Sequence, residues 1–256
     1  MQVKSMEQTD KNIVKKAVFS RPDNANKGTL GSLLCICGCY SMAGAAIMAG
    51  KAALRCGLGL LKTALPKSIY PIAAGTIFES VFFPLEETTD GKISKSNIEF
   101  LLYEAEKSSA VLIGCGLSVC DDTEALVNSF IEHCTKSLVL DADALNCIAN
   151  NPDILKKKNA PIITTPHPGE MARLVKSTPK DVNESRDKIA SCFAKEYGVV
   201  TVLKGKDTII ASPDGKIMIN RTGNSGMATG GSGDVLAGMT GSLLAQGANP
   251  FDTASA

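Results

Sequence analysis

Short apolar runs alternate with helix-like stretches along most of the chain. Residues 33–37, 59–63, 111–113, 137–140, 161–164 and 199–203 have strand length, and several end at Gly, Asp or Pro. Between them, residues 43–56, 123–134, 144–150 and 183–197 carry a helical pattern. This alternation predicts an α/β fold, a mainly parallel sheet covered by helices on both faces. Ligands of such sheets sit outside the carboxyl ends of the strands, so chemistry is sought where each apolar run stops. Residues 208–211 and 216–219 flank Ser212-Pro213-Asp214-Gly215, which predicts a β-hairpin at the sheet edge. No repeat, low-complexity tract or Pro/Ser-rich linker interrupts the pattern, so residues 1–256 read as one domain.

The strongest local signal is Thr222-Gly223-Asn224-Ser225-Gly226-Met227-Ala228-Thr229-Gly230-Gly231-Ser232-Gly233-Asp234, which opens a helical pattern through Leu244. A glycine-dense loop entering a helix leaves amides pointing at one place with the positive helix end behind them, an anion trap. The spacing fits neither the dinucleotide fingerprint nor the Walker A loop. Asp234 could simply cap its helix, but a cap does not require five glycines in the preceding eleven residues. A carboxylate beside phosphate-binding amides can take the proton from an attacking hydroxyl, and Asp234 is placed for that.

Four further clusters lie at predicted strand exits. In Thr165-Pro166-His167-Pro168-Gly169-Glu170 two prolines flank the histidine and are expected to delay any helix until after Glu170. Glu170 could hold a water-bound magnesium near phosphates, or serve as a charge in the first turn of the next helix. Leu140-Asp141-Ala142-Asp143-Ala144-Leu145-Asn146 puts two carboxylates before a helix, suited to a metal, a sugar hydroxyl or a cap by Asp143. Lys204-Gly205-Lys206-Asp207-Thr208 could meet adenylate phosphates or be an ordinary basic turn. Gly28, Gly31, Gly44, Gly114 and Gly116 are expected together at one end of the sheet, where a ligand approaches the backbone closely.

Composition narrows the classes. The chain has 256 residues, 44% of them hydrophobic, enough for a substantial core. Lys plus Arg number 27 against 26 Asp plus Glu, so no electrostatic footprint favours nucleic acid or an anionic membrane. Trp is absent while Gly reaches 23, which favours binding by backbone amides over aromatic stacking. The nine cysteines form no C-x-x-C pair, which fits a reduced, cytoplasmic protein. Cys35, Cys37 and Cys39 alternate along a strand-like run and are expected as small buried side chains, since only His133 and His167 could join them, so no direct metal site is expected. Residues 1–20 lack the apolar core of a leader, and the richest apolar stretch, 43–61, is broken by Lys51 and Arg55, so no membrane span is expected.

Taken in order, Lys27-Gly28-Thr29-Leu30-Gly31, Ala43-Gly44-Ala45-Ala46, Gly114-Cys115-Gly116-Leu117, Leu140 to Asn146, Thr165 to Glu170 and Asn224 to Asp234 resemble the nucleotide-dependent NAD(P)H-hydrate dehydratases of the ribokinase-like superfamily. The resemblance runs from about Asn26 onward and implies a three-layer α/β/α fold. It also implies a hydro-lyase that repairs the hydrates NADHX and NADPHX to NADH and NADPH, using ADP or ATP with Mg²⁺. The terminal phosphoryl group would pass to the C6 hydroxyl of the hydrated ring and phosphate would then leave. Asp234 would be the base, with the Gly231, Ser232 and Gly233 amides stabilising the transferring group. Ala45, Gly116, His167 and Asp234 would contact the hydrate; Lys204, Gly205, Lys206, Asp207, Thr208 and Gly233 would form the nucleotide site. Asn146 and Glu170 would support them, the latter near Mg²⁺ carried by the nucleotide.

The same resemblance implies a homotetramer and a separate NAD(P)H-hydrate epimerase in the pathway. Asn26 stands where the family often has His, and Cys115 where it has Pro; residues 1–25 read as an extension, and relatives continue with helices beyond Ala256. A ribokinase-like kinase of a small molecule such as a vitamin precursor shares the Gly-Ser-Gly-Asp loop and is the alternative reading.

Overall fold

The computed structural model describes residues 7–18 and 20–256, so the opening of the 1–20 stretch lies outside the described residues. The strands are β1 (Glu7–Gln8), β2 (Ser32–Ile36), β3 (Leu60–Pro66), β4 (Val81–Leu85), β5 (Ala110–Ile113), β6 (Ser137–Leu140), β7 (Ile162–Thr164), β8 (Val200–Leu203), β9 (Thr208–Ala211) and β10 (Ile217–Asn220). The helices of the first half are α1 (Lys11–Ala17), α2 (Ala43–Arg55), α3 (Tyr70–Ala74), α4 (Ile98–Glu106) and α5 (Asp121–His133). Those of the second half are α6 (Asp143–Cys147), α7 (Pro168–Leu174), α8 (Pro179–Glu184), α9 (Arg186–Tyr197), α10 (Ser232–Ala245) and α11 (Pro250–Ser255).

Among the described residues one ten-stranded sheet runs β1-β10-β9-β8-β7-β6-β5-β2-β3-β4. Pairing is parallel from β8 to β4, and β9 and β10 form an antiparallel hairpin joined to β8. The hairpin is not the outermost element: β1 pairs parallel with β10 and becomes the edge. Two residues have no readable periodicity, which is why the sequence pattern does not predict β1. At the other edge, β4 contains Pro84, tolerated there because an edge strand has one side free of ladder bonds.

The central strands are buried on both faces, as a parallel sheet under two helical layers requires. On one face Ala45, Ala46, Ala49 and Ala53 of α2 and Ala237 and Leu244 of α10 pack over Leu33, Leu61 and Leu112. On the other, Leu126 and Phe130 of α5 and Ala190 and Phe193 of α9 join Leu34, Val111 and Leu138 in a second core. The result is the three-layer α/β/α arrangement. Helix 183–197 is instead α8 and α9 broken at Ser185, and 144–150 shortens to α6. The chain leaves β2 outward to β3 and β4, then returns to β5 on the other side of β2, making a topological switch point at their carboxyl ends.

Candidate active site

Helix α10 points its first turn at that switch point. Its N-cap is Gly231, at φ +90°, a left-handed conformation glycine adopts freely, and no side chain caps the turn. The Ser232 hydroxyl reaches the carbonyls of Met227 at 2.7 Å and Thr229 at 2.9 Å, and its amide donates to Thr229 at 3.4 Å, closing the loop on itself. The Ser232 amide is therefore engaged, whereas Gly233 and Asp234 precede the turn in which helical bonding begins. Residues 221–230 are exposed and 231–234 half-buried, so the loop opens outward rather than into the core. Asp234 lies in the first turn and is not the cap. Burial and the Asp141 charge push its carboxyl above the usual aspartate range, against opposing effects of Cys115 and Lys204.

Lys204, at the exit of β8, ties the neighbouring acids together. Its Nζ lies 2.8 Å from Asp141 Oδ1 and 3.8 Å from Glu170 Oε2. Asp141, at the exit of β6 and 1% exposed, also accepts the Thr165 hydroxyl at 2.6 Å. Burial opposes the charge on Lys204, but Asp141 and Glu170 outweigh it and hold the ammonium above its ordinary range. A β-carbon added to Gly233 would stand 3.5 Å from Lys204 Nζ, so the ammonium borders the mouth of α10.

His167 caps α7: its Nδ1 accepts the amides of Gly169 at 2.9 Å and Glu170 at 3.3 Å, and its own amide donates to Glu170 Oε2 at 2.7 Å. The expected delay of the helix until after Glu170 is corrected, because α7 starts at Pro168, whose missing N–H costs nothing at the first helical position. Burial and Lys204 push the His167 pKa below the usual value, and because Nδ1 accepts two amides the ring N–H falls on Nε2, 3.3 Å from Glu170 Oε1. Burial raises the Glu170 pKa, with Lys204 opposing. Both Glu170 oxygens are engaged within the protein, so this residue set fits a magnesium ion carried by nucleotide phosphates better than a protein cage.

The turn after β8 is held from outside. Arg186 donates to the carbonyls of Leu203 at 2.8 Å, Lys204 at 3.1 Å and Lys206 at 3.2 Å, and Thr208 Oγ1 donates to the Gly205 carbonyl at 3.0 Å. Asp207 has φ +57°, so the turn is strained. Gly116 lies against Ala45 and Met42 at the start of α2. Asn146 is one step back: it donates to Asp143 at 3.1 Å and accepts from Arg173 at 3.0 Å. Asp143 does not cap α6; its Oδ2 accepts the Ser118 amide at 2.8 Å, while Ala142 is the N-cap at φ +48°.

The expected gathering of glycines is corrected. Gly114 and Gly116 follow β5 and Gly44 opens α2 at the carboxyl ends, but Gly28 and Gly31 precede β2 at the opposite end. There they line a cavity of about 460 Å³ with Ser109, Ser137 and Ala245. Another cavity, of about 470 Å³, lies between α7 and α9 beside Lys156 and Cys192, and neither includes the acid cluster. The structure brings Asp234, Lys204, Glu170, His167 and Gly233 into one neighbourhood. Sequence reasoning assigned no role to Cys115, Thr165 or Arg186 and left Asp141 without its partner; for Asp141 the signal was its place at the end of an apolar run.

The chain has a ribokinase-like α/β fold, with an uncapped helix mouth at the strand exits, a carboxylate in its first turn and a lysine between the strand-exit acids. The chain belongs to the NAD(P)H-hydrate dehydratase family, whose profile matches residues 33–256. It is 40% identical over 230 residues to a bifunctional NAD(P)H-hydrate repair enzyme of Moorella thermoacetica, covering 90% of this chain and 43% of that protein. It is 35% identical over 240 residues to an ADP-dependent (S)-NAD(P)H-hydrate dehydratase of Neisseria meningitidis, covering 93% of this chain and 77% of that one. The structure of the ADP/ATP-dependent NAD(P)H-hydrate dehydratase of Bacillus subtilis co-crystallised with ATP/Mg²⁺ matches with a TM-score of 0.81 and 29% identity, over 98% of this chain and 85% of that one. The chain spans less than half the length of the bifunctional relative.

Proposed function

We propose that the protein is an ADP- or ATP-dependent (6S)-NAD(P)H-hydrate dehydratase that returns NADHX and NADPHX to NADH and NADPH. The observation that carries this is the half-buried Asp234 carboxylate in the first turn of α10, with Lys204 bordering the same helix mouth. Hydroxide is a poor leaving group from the hydrated ring. Asp234 takes the proton of the C6 hydroxyl as its oxygen attacks the terminal phosphorus of the nucleotide, and the phosphorus–oxygen bond to the departing nucleotide breaks. The ring-nitrogen lone pair then expels phosphate, restoring the carbon–carbon double bond of the dihydronicotinamide as the neighbouring carbon loses a proton.

In this reading the Gly231, Ser232 and Gly233 segment receives the transferring group, with the amide of Gly233 and the positive end of α10 as its main donors and Ser232 holding the loop. Lys204 balances phosphate charge, and the turn from Gly205 through Lys206 and Asp207 to Thr208, pinned by Arg186, receives the adenylate. Ala45, Gly116 and His167 border the hydrate; Asn146 and Glu170 hold Asp143 and His167 in place. Magnesium bound with the nucleotide neutralises phosphate charge. An epimerase supplies the correct epimer, the assembly is a homotetramer and the setting is cytoplasmic, all as the family resemblance implies. Among the described residues no helix is long and apolar enough to cross a membrane.

The test supplies NADHX with ADP or ATP and follows the near-ultraviolet absorbance of the reduced nicotinamide together with phosphate release. Recovery of absorbance with one phosphate released per ring is expected. A stable phosphorylated alcohol with no recovery would favour the small-molecule kinase instead.

A further inference from the structure

Cys115 lies within the acid cluster, yet the chemistry above gives it no task. It follows β5, is fully buried, and its carbonyl accepts the Gly38 amide at 2.8 Å, which fixes the turn to the exit of β2. Its Sγ stands 3.7 Å from Asp141 Oδ2, and this sulfur and one carboxylate oxygen each from Asp141 and Asp234 all lie within 4.8 Å of one another. The other Asp141 oxygen is occupied by Lys204 and Thr165, so Asp141 cannot turn away. The Asp141 charge disfavours ionisation of Asp234, and a donor placed between the two relieves that repulsion.

We propose that Cys115 is a positioning residue whose single S–H, placed between the Asp141 carboxylate it bonds and the facing Asp234 oxygen, aims the Asp234 carboxylate at the helix mouth. The proposal rests on Asp234 being the base. A hydrogen bond with Cys37, burial and the flanking Asp141 and Asp234 hold the Cys115 pKa well above the ordinary thiol value. The sulfur therefore keeps its proton and acts as a donor, not as a thiolate. The groups facing Asp234 are Asp141 from the β6 exit, Cys115 from the β5 exit, Lys204 from the β8 exit and Asp143 from α6; of these, Cys115 and Lys204 favour its ionised form.

The test is the pH profile of kcat/KM for the whole chain and its Cys115→Ala, Cys115→Ser and Asp234→Asn variants, with thermal melts to confirm folding. Loss of the donor in Cys115→Ala moves the acid limb to higher pH, giving about a threefold deficit on the acid side of the wild-type limb and little change on its alkaline side. Cys115→Ser keeps a donor and follows the wild-type profile. A Cys115→Ala limb superimposed on wild type, or an equal loss at every pH in both cysteine variants, overturns the proposal. Full turnover by Asp234→Asn defeats the underlying reading instead, so the two failures are distinguishable.

Discussion

A base at position 234 works only if its carboxylate is both ionised and proton-hungry, and its surroundings push in opposite directions. Burial and Asp141 raise its pKa, while Cys115 and Lys204 restrain the rise. The acid limb of kcat/KM should therefore lie above the ordinary aspartate value, with activity falling as pH drops through it; a limb at or below the ordinary value would show a different group titrating. The same elevation means the folded chain holds this proton more tightly than the unfolded one, so it subtracts stability above the unfolded pKa and the penalty fades as pH falls. Lys204→Met leaves Asp141 buried beside an apolar chain, and the expected loss is about 3 kcal/mol by denaturant titration, with turnover lost as well. The candidacy of Asp234, Lys204 and His167 was legible because each follows an apolar run or opens a helix pattern, while the ligand proposed for each came from the family resemblance. The Asp141–Lys204 pair was not, since it joins β6 to β8 across an intervening strand and 63 residues of sequence.

Helices α2 and α10 meet closely enough that backbone touches backbone. A β-carbon on Gly238 would come within 2.8 Å of the Ala49 carbonyl carbon, so the helix that carries Asp234 can lie no further in and needs glycine there. Alanine is the better helix former by about 1 kcal/mol, yet Gly238→Ala should lower stability by roughly 2 kcal/mol and Tm by about 5 °C in a thermal melt. An unchanged or higher Tm would mean the contact relaxes freely. The existence of both helices followed from their apolar patterns, whereas their separation did not, because it is set by partners nearly two hundred residues apart. The start of α7 at Pro168 was misread for a local reason: proline blocks a helix interior but suits its first position.

Across the whole molecule, strand order brings the exits of β5, β6, β7 and β8 into one row and lays the mouth of α10 over it. Alternation of apolar runs and helices made the layers readable, but not which glycines share an end: Gly31 and Gly116 look alike in sequence and lie at opposite ends of the sheet. A nucleotide that binds this row must stabilise the fold by mass action, so ADP or ATP at a hundred times its dissociation constant should add about 2.7 kcal/mol; no shift in Tm with either would argue against nucleotide binding at the folded site. The most direct test of the account is turnover by Asp234→Asn, measured beside nucleotide and hydrate binding. The account predicts a fall in kcat of roughly 10²- to 10⁴-fold with binding retained, and turnover equal to wild type would contradict it.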